Sequence, residues 1–380
     1  MLKVGIIGIG NTGNQIAALA KTKLNIDVVA INSSEKDLET IDNSIPKALI
    51  KDKEGLCHGA GKDRALAKKM LKDSVMELIQ DKNIIELIKP LDVVFIVSST
   101  GGGTGSGTAP ILANIISETF KDTKTILVGV LPVNSEALSA HVNTLQYLDE
   151  LYRALPDATY MLYDNDKHAG EPSYQIMENV NEEVVSDIDV IRCNYNYTTK
   201  FDSIDDKDMM RLISFSGRIM VSRLEGFQEK DCDNQTIEEM LISNIKRNSH
   251  VEAQRDKKVM ATGIITNLSK VLTEEFDNHI PKVREFSGTP VHEFNHIYVN
   301  EDRKQPNNVF YIMSGLTPVN DKINKISDRV DEIKEKQKIL EEENSLSGVD
   351  LQSLSADIAD EEASSSTQVD LKNIFNKFDI

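Results

Sequence analysis

The 380-residue chain has only three cysteines, Cys57, Cys193 and Cys232, an odd number lying far apart. That excludes a disulfide framework or a zinc-type spacing and points to reduced thiols. It is also short of basic charge, with 43 Lys and Arg against 61 Asp and Glu and a net charge of −18. Lys and Arg on phosphates supply most of the affinity of nucleic-acid binders, so the balance argues against direct binding through the body of the protein. Long hydrophobic runs are missing too. The stretch Leu91–Val97, itself interrupted by Asp92, is far too short to cross a bilayer. Residues Met1–Gly10 are a short apolar strand with one lysine and no secretory pattern, so a soluble cytoplasmic protein is expected.

What the chain does have is length for two cores and an alternating pattern. Strand-like runs at Leu2–Ile9, Ile26–Ile31, Leu91–Ser98, Thr125–Leu131 and Thr159–Tyr163 are continuously apolar, as strands buried on both faces must be. Helical spacing fills the gaps at Asn14–Lys21, Ala65–Ile88, Ala109–Phe120 and Glu136–Leu155. Such units imply a doubly wound α/β sheet with ligands beyond the carboxyl ends of its strands. From Tyr174 the spacing of Ile176, Val180, Val184, Ile188 and Ile191 predicts a long amphipathic helix. Met209–Gly226 and Thr236–Lys246 read as helices, and Val259–Thr266, His296–Asn300 and Val309–Gly315 as strands of a second, smaller α/β domain. In the last of these, alternating Val309, Tyr311 and Met313 are expected in the core. The stripe Ile323, Ile326, Val330, Ile333 and Leu340 is heptad-like, for an intermolecular coiled coil or for packing on the second domain. Residues 341 to 380 hold ten acidic and two basic side chains and read as a disordered tail. Leu371, Ile374, Phe375 and Phe378 make its end either a short docking helix or simply solvated chain.

The chemistry sits in glycine. Gly101-Gly102-Gly103-Thr104-Gly105-Ser106-Gly107 follows an apolar strand and runs into a helix with Pro110 near its first turn. Glycines let successive N–H groups face an anion, and the helix start adds its unpaired N–H groups and dipole. Thr104 and Ser106 offer hydroxyl donors. No Gly-Lys-Ser/Thr follows, so this is not a Walker loop. A second loop, Gly8-Ile9-Gly10-Asn11-Thr12-Gly13, fits the dinucleotide pattern, but the strand ending Ala30-Ile31-Asn32 lacks the carboxylate that pattern requires. His292-Glu293-Phe294-Asn295-His296 has zinc-protease spacing, yet Pro290 before it and Ile297-Tyr298-Val299 after it favour a strand, where the motif cannot work.

Gly101 to Gly107 resembles the signature of the tubulin and FtsZ superfamily of GTPases, and further loops follow in order. Gly8 to Asn14 resembles the first phosphate loop, implying nucleotide contacts from Gly10, Asn11, Thr12 and Asn14, and Asn32 stands in the second loop. Gly59 to Asp63 resembles the loop that faces the γ-phosphate, with Gly61 and Lys62 as contacts. Pro132 to Glu136 resembles the segment whose glutamate, here Glu136, meets the ribose. Asn165-Asp166-Lys167 matches the family's Asn-Asp-Lys after the sixth strand, which makes Asn165 a further expected contact, and Asn181 on the long helix falls where the family reads guanine. Ser203-Ile204-Asp205-Asp206-Lys207-Asp208 resembles the catalytic loop that enters the next subunit's pocket, which makes Asp205 and Asp208 the implied catalytic residues. The resemblance implies GTP/GDP with Mg²⁺, head-to-tail filaments, and a tubulin/FtsZ-like fold: a Rossmann-type GTP-binding domain and an activation domain joined by a central helix. Its expected boundaries are 1–172, 173–198 for the helix, and 199–318, then a charged helix 319–343 and the acidic tail 344–380. Ser203, Ala140 and Ser33-Ser34 depart from the division-protein pattern. With the charged helix and tail they look more like the plasmid- and phage-borne TubZ branch, which implies DNA segregation through a DNA-binding adaptor of the TubR type at the C-terminal region. A phage protein that positions DNA, a division protein, a non-hydrolysing scaffold and a dinucleotide oxidoreductase are the alternatives.

Overall fold

The computed structural model describes residues 1–192, 203–233, 235–252, 259–300, 306–344 and 371–378. Continuously apolar runs become buried strands, as their pattern requires. The first half runs β1 (Val4–Ile9), α1 (Gly10–Leu24), β2 (Asp27–Asn32), α2 (Glu35–Glu39), β3 (Lys47–Leu49), α3 (Arg64–Gln80), α4 (Lys82–Ile88), β4 (Val93–Ser99), α5 (Thr104–Thr119), β5 (Lys124–Leu131), α6 (Leu138–Ala154) and β6 (Thr159–Asp164). A 3-10 turn, Asn165–His168, leads to α7 (Ser173–Ile191). The second half contains α8 (Asp206–Leu212), β7 (Gly217–Phe227), α9 (Ile237–Arg247), β8 (Ala261–Ser269), α10 (Lys270–Ser287), β9 (His292–Asn300) and β10 (Asn307–Leu316). Two helices close the chain, α11 (Asn320–Asn344) and α12 (Leu371–Lys377).

All ten strands form one sheet in the order β3-β2-β1-β4-β5-β6-β7-β10-β8-β9. From β3 to β6 every neighbour is parallel. Strand β6 pairs with β7 at Thr159 with Gly217 and Tyr160 with Arg218, and Tyr163 bridges His250 beside that join. One core cluster packs α1 and α7 on one face of the sheet and continues across that join to Ile219, Val221 and Ile312. Another packs α3, α4, α5 and α6 on the opposite face. Val309, Tyr311 and Met313 are buried, as their alternation predicts.

Several elements differ from the sequence expectation. Met209–Gly226 is not one helix; it is α8 followed by β7. Met209 and Leu212 have helical spacing, but Ile219-Met220-Val221 is a short apolar run, which periodicity alone cannot assign. Ala65–Ile88 breaks at Asp81, whose carboxylate accepts the amides of Asn83 and Ile84 and starts α4. Pro110 lies inside α5, where it removes the N–H that the Ser106 carbonyl would accept. Arg64 Nη2 takes that carbonyl at 2.8 Å. The stripe of α11 packs on α6, in the first half, with Ile326 and Val330 buried. His292 and His296 lie on a strand, where His292 stacks on Phe215 and His296 Nδ1 accepts the amide of Ile204. Cys57 and Cys232 are unbridged. Cys193, the end of the central helix expected to residue 198, and tail residues 345–370 and 379–380 lie outside the described residues.

Candidate nucleotide-binding site

Because β2, β1, β4, β5 and β6 are parallel, the loops at their carboxyl ends share one rim. Gly10 opens α1 with φ +72, and a β-carbon there would stand 3.2 Å from Gly105 N. Only glycine combines that dihedral with so close an approach. At Gly103 a β-carbon would lie 2.8 Å from Lys62 Cα. Ser33 Oγ and Thr104 Oγ1 are hydrogen-bonded at 2.6 Å. The loops after β1, β2 and β4 and the Gly59–Lys62 segment therefore meet at one place. Asn143 Nδ2, on α6, holds them there through the carbonyls of Lys62 (2.9 Å), Gly101 (3.2 Å) and Gly102 (3.1 Å).

The helices α1 and α5 that begin in this cleft start without a side-chain cap, as α6, α7 and α10 do elsewhere, while Ser34, Asp63, Asp205 and Thr236 cap α2, α3, α8 and α9. Uncapped first-turn N–H groups and aligned dipoles suit an anion, which would satisfy them. Ser106 differs from expectation. Its hydroxyl is buried and donates back to the Gly102 carbonyl, which leaves its backbone N–H as the group it offers.

The remaining expected contacts spread along the rim. Asn14 Oδ1 accepts the amide of Ile31 at 3.2 Å, while its Nδ2 is buried with no acceptor among the described residues. Asn32 Oδ1 accepts from Ser33 N at 2.8 Å and shapes the second loop. Asn11 is exposed and Thr12 half-buried. Glu136 Oε1 accepts the amide of Val133 at 3.3 Å, and Asn134 N donates to Asp166 Oδ1 at 2.7 Å, which ties this loop to the turn after β6. Asn165 opens that turn, its Oδ1 buried and without a partner among the described residues. Asn181 is half-buried on α7, which packs against both α1 and the turn. Buried polar atoms left unpaired are costly, so Asn14 and Asn165 fit a polar ligand at this rim.

Asp205 and Asp208 are elsewhere. The terminal amine of Met1 pairs with Asp206 at 2.8 Å, which fixes this loop near the amino end of β1. Gly10 stands at its carboxyl end, about 20 Å away for six residues of strand. Both aspartates cap α8: Asp205 Oδ1 accepts Asp208 N at 2.9 Å, and Asp208 Oδ2 accepts Asp205 N at 3.3 Å.

Three residues escaped the sequence reading. Asn143 and Arg64 act on partners many positions away, and the only signal was a polar residue at a helix position otherwise apolar. Lys322 on α11 reaches Asp164 Oδ2 and Asp166 Oδ2, both at 2.9 Å, and so pins α11 to the turn after β6. Burial raises the Asp164 pKa. Burial would lower that of Lys322, but the two carboxylates outweigh it and raise it instead.

Comparison with known proteins agrees with this geometry. Residues 3–170 match the Tubulin/FtsZ family, GTPase domain. The tubulin-like protein CetZ of Pyrococcus horikoshii is 27% identical over 185 residues, 48% of this chain and 50% of its own length. The chain thus spans about half the length of the CetZ relatives it matches. In structure, it resembles a GTPγS-form protofilament of TubZ from Bacillus thuringiensis serovar israelensis, with TM-score 0.72, 18% identity and coverage of 90% of this chain and 94% of that one. It also resembles the GTPγS-bound protofilament of CetZ2 from Haloferax volcanii, with TM-score 0.70, 18% identity and coverage of 88% and 100%. The fold is tubulin/FtsZ-like α/β.

Proposed function

We propose, from the match of residues 3–170 to the Tubulin/FtsZ family, GTPase domain, that the chain binds GTP and GDP at the rim, assembles head to tail and hydrolyses GTP between neighbouring copies. The observation that carries this is the separation of parts. The cleft lies at the carboxyl rim, and the aspartates lie near the opposite end of β1, too far to serve their own cleft. A second copy stacked end on end would bring Asp205 and Asp208 to the first copy's phosphates.

In this reading Gly10, Asn11, Thr12, Asn14 and Gly101 to Gly107 hold the phosphates. Asn32, Gly61 and Lys62 flank them, Glu136 meets the ribose, and Asn165 and Asn181 meet the base. Phosphoryl transfer to water needs positioning and charge stabilisation, which backbone N–H groups and two carboxylates oriented on a water supply. No group of three His, Cys, Asp or Glu is gathered among the described residues, so Mg²⁺ would be held mainly by phosphate oxygens and water, and it supplies charge neutralisation there. The finer role we propose is segregation of plasmid or phage DNA through a TubR-type adaptor at the C-terminal region. The TubZ fold likeness and the acidic C-terminal sequence support it. Retention of that adaptor on DNA by sedimented filaments is the check.

A second reading, a scaffold that assembles without turnover, is favoured by Ser203 and by the cap that engages both aspartates. Asp205→Asn and Asp208→Asn decide between them, because Asn keeps an acceptor oxygen at the N-cap and at the third helical position but not the charge. Nucleotide binding and sedimentation should persist while phosphate release falls on the order of 10²-fold. Release at the unmodified rate would leave the scaffold reading, or another catalytic group, in its place.

A further inference from the structure

The last described segment is a seven-residue helix, α12, separated from α11 by 26 residues, 345–370, with six acidic side chains and no basic one. A helix this short does not hold its shape alone in water, so α12 owes its form to the surface beneath it. Ile374, Phe375 and Phe378 are 4%, 6% and 1% exposed and join the core cluster of α3 to α6. The helix packs on α5, and Phe378 lines a groove with Arg64, Lys68, Gln146 and Glu150.

The groove is wired to the rim. Lys68 Nζ donates to the Phe378 carbonyl at 2.9 Å and pairs with Glu150 Oε1 at 2.7 Å. The other Glu150 oxygen pairs with Arg64 Nη2 at 2.7 Å, and the same nitrogen donates to Ser106 O in the first turn of α5 at 2.8 Å. Arg64 begins α3 directly after the Gly59–Asp63 loop. Arg64, Glu150 and Lys68 are 4%, 7% and 12% exposed, so removal of Glu150 strands two buried cations, whereas removal of either cation leaves Glu150 with the other. A chain of charge-assisted bonds thus runs from α12 to the glycine loop expected to hold the phosphates and to the Gly59–Asp63 loop expected to face the terminal one.

We propose that the α3–α5–α6 groove is a docking surface for the chain's own segment Leu371–Phe378, and that its occupancy is coupled to the nucleotide through Lys68, Glu150 and Arg64. The coupling rests on the GTP-binding reading above; the docking does not. Loops that settle differently around GTP and GDP shift Arg64, and by reciprocity a docked α12 changes the relative affinity for the two nucleotides. The 26 connecting residues, at most about 90 Å when extended, also allow the segment to leave and reach a second copy.

The test uses the full-length chain below its assembly concentration. Hydrogen exchange of residues 371–378 is followed with GTPγS and with GDP, beside titration of both nucleotides. The expected result is protection that differs between the two nucleotides. Phe375→Asp should abolish protection and change the ratio of the two affinities about fivefold or more. Lys68→Met should keep protection but remove its nucleotide dependence. Equal protection with both nucleotides and an unchanged affinity ratio in Phe375→Asp would overturn the coupling. Protection found only above the assembly concentration would overturn docking within one chain and assign the groove to a second copy. A wild-type chain that binds neither nucleotide would instead sink the GTP reading, and loss of protection in Phe375→Asp would still support the docking.

Discussion

At Gly103 a methyl group has no room, because the atom 2.8 Å from it is the Lys62 backbone, which cannot rotate away. Gly103→Ala should push the Gly59–Lys62 loop off the glycine turn. The expected result is a loss of about 1–3 kcal/mol in unfolding free energy, seen in denaturant melts, and at least about tenfold weaker nucleotide binding. Unaltered binding in a folded variant would mean that the two loops do not form one cleft. Residues of this kind were legible in the sequence, since glycine spacing is local and states its backbone requirement directly. Asn143 and Arg64 were not. They stabilise the same loops from 81 and 42 positions away in the chain, and a polar residue at an otherwise apolar helix position does not say which partner it meets. Ser106 was half legible: its place in the loop was clear, but the inward turn of its hydroxyl depends on where the Gly102 carbonyl lies.

At the scale of elements, α11 packs on α6 and is tied to the turn after β6 by one cation, Lys322, between two carboxylates. Replacing Lys322 with Met leaves Asp164 and Asp166 facing each other without it, at a cost of about 2–4 kcal/mol. The folded pKa of Lys322 is raised above its ordinary 10.5, so its stabilisation is complete below that value and is lost as pH rises through the folded one. The difference in melting temperature between wild type and Lys322→Met should stay level from about pH 6 to 9 and close in stronger alkali. A difference that changed across neutrality would point to another titrating group. Parallel strands and the long helix α7 were readable because burial on two faces and a 3.6-residue stripe each leave an unambiguous pattern. The α8–β7 junction and the split at Asp81 were not, since a three-residue apolar run and a single carboxylate decide them. Helix α10 carries Pro281 inside it and was missed for a related reason: it is fixed by burial of Leu272, Phe276 and Val283 rather than by local preference.

At the scale of the whole molecule, cleft and aspartates occupy opposite ends of parallel strands, so neither works without a neighbour in the proposed arrangement. Gly103→Ala subunits keep the aspartates and lose the cleft; Asp205→Asn subunits do the reverse. Each alone should release almost no phosphate, while a mixture should recover release at contacts that pair a sound cleft with sound aspartates. Co-sedimentation without recovery would refute a divided site. This division could not be read from residue spacing, because it depends on which end of the sheet the Met1–Asp206 pair marks.

The parallel sheet also gives each molecule two unlike ends. In the proposed head-to-tail row, n molecules make n − 1 completed junctions, and one terminal cleft lacks the aspartates proposed to empty it. Short rows therefore keep a larger share of unspent nucleotide than long ones, so age and length become readable at a single tip.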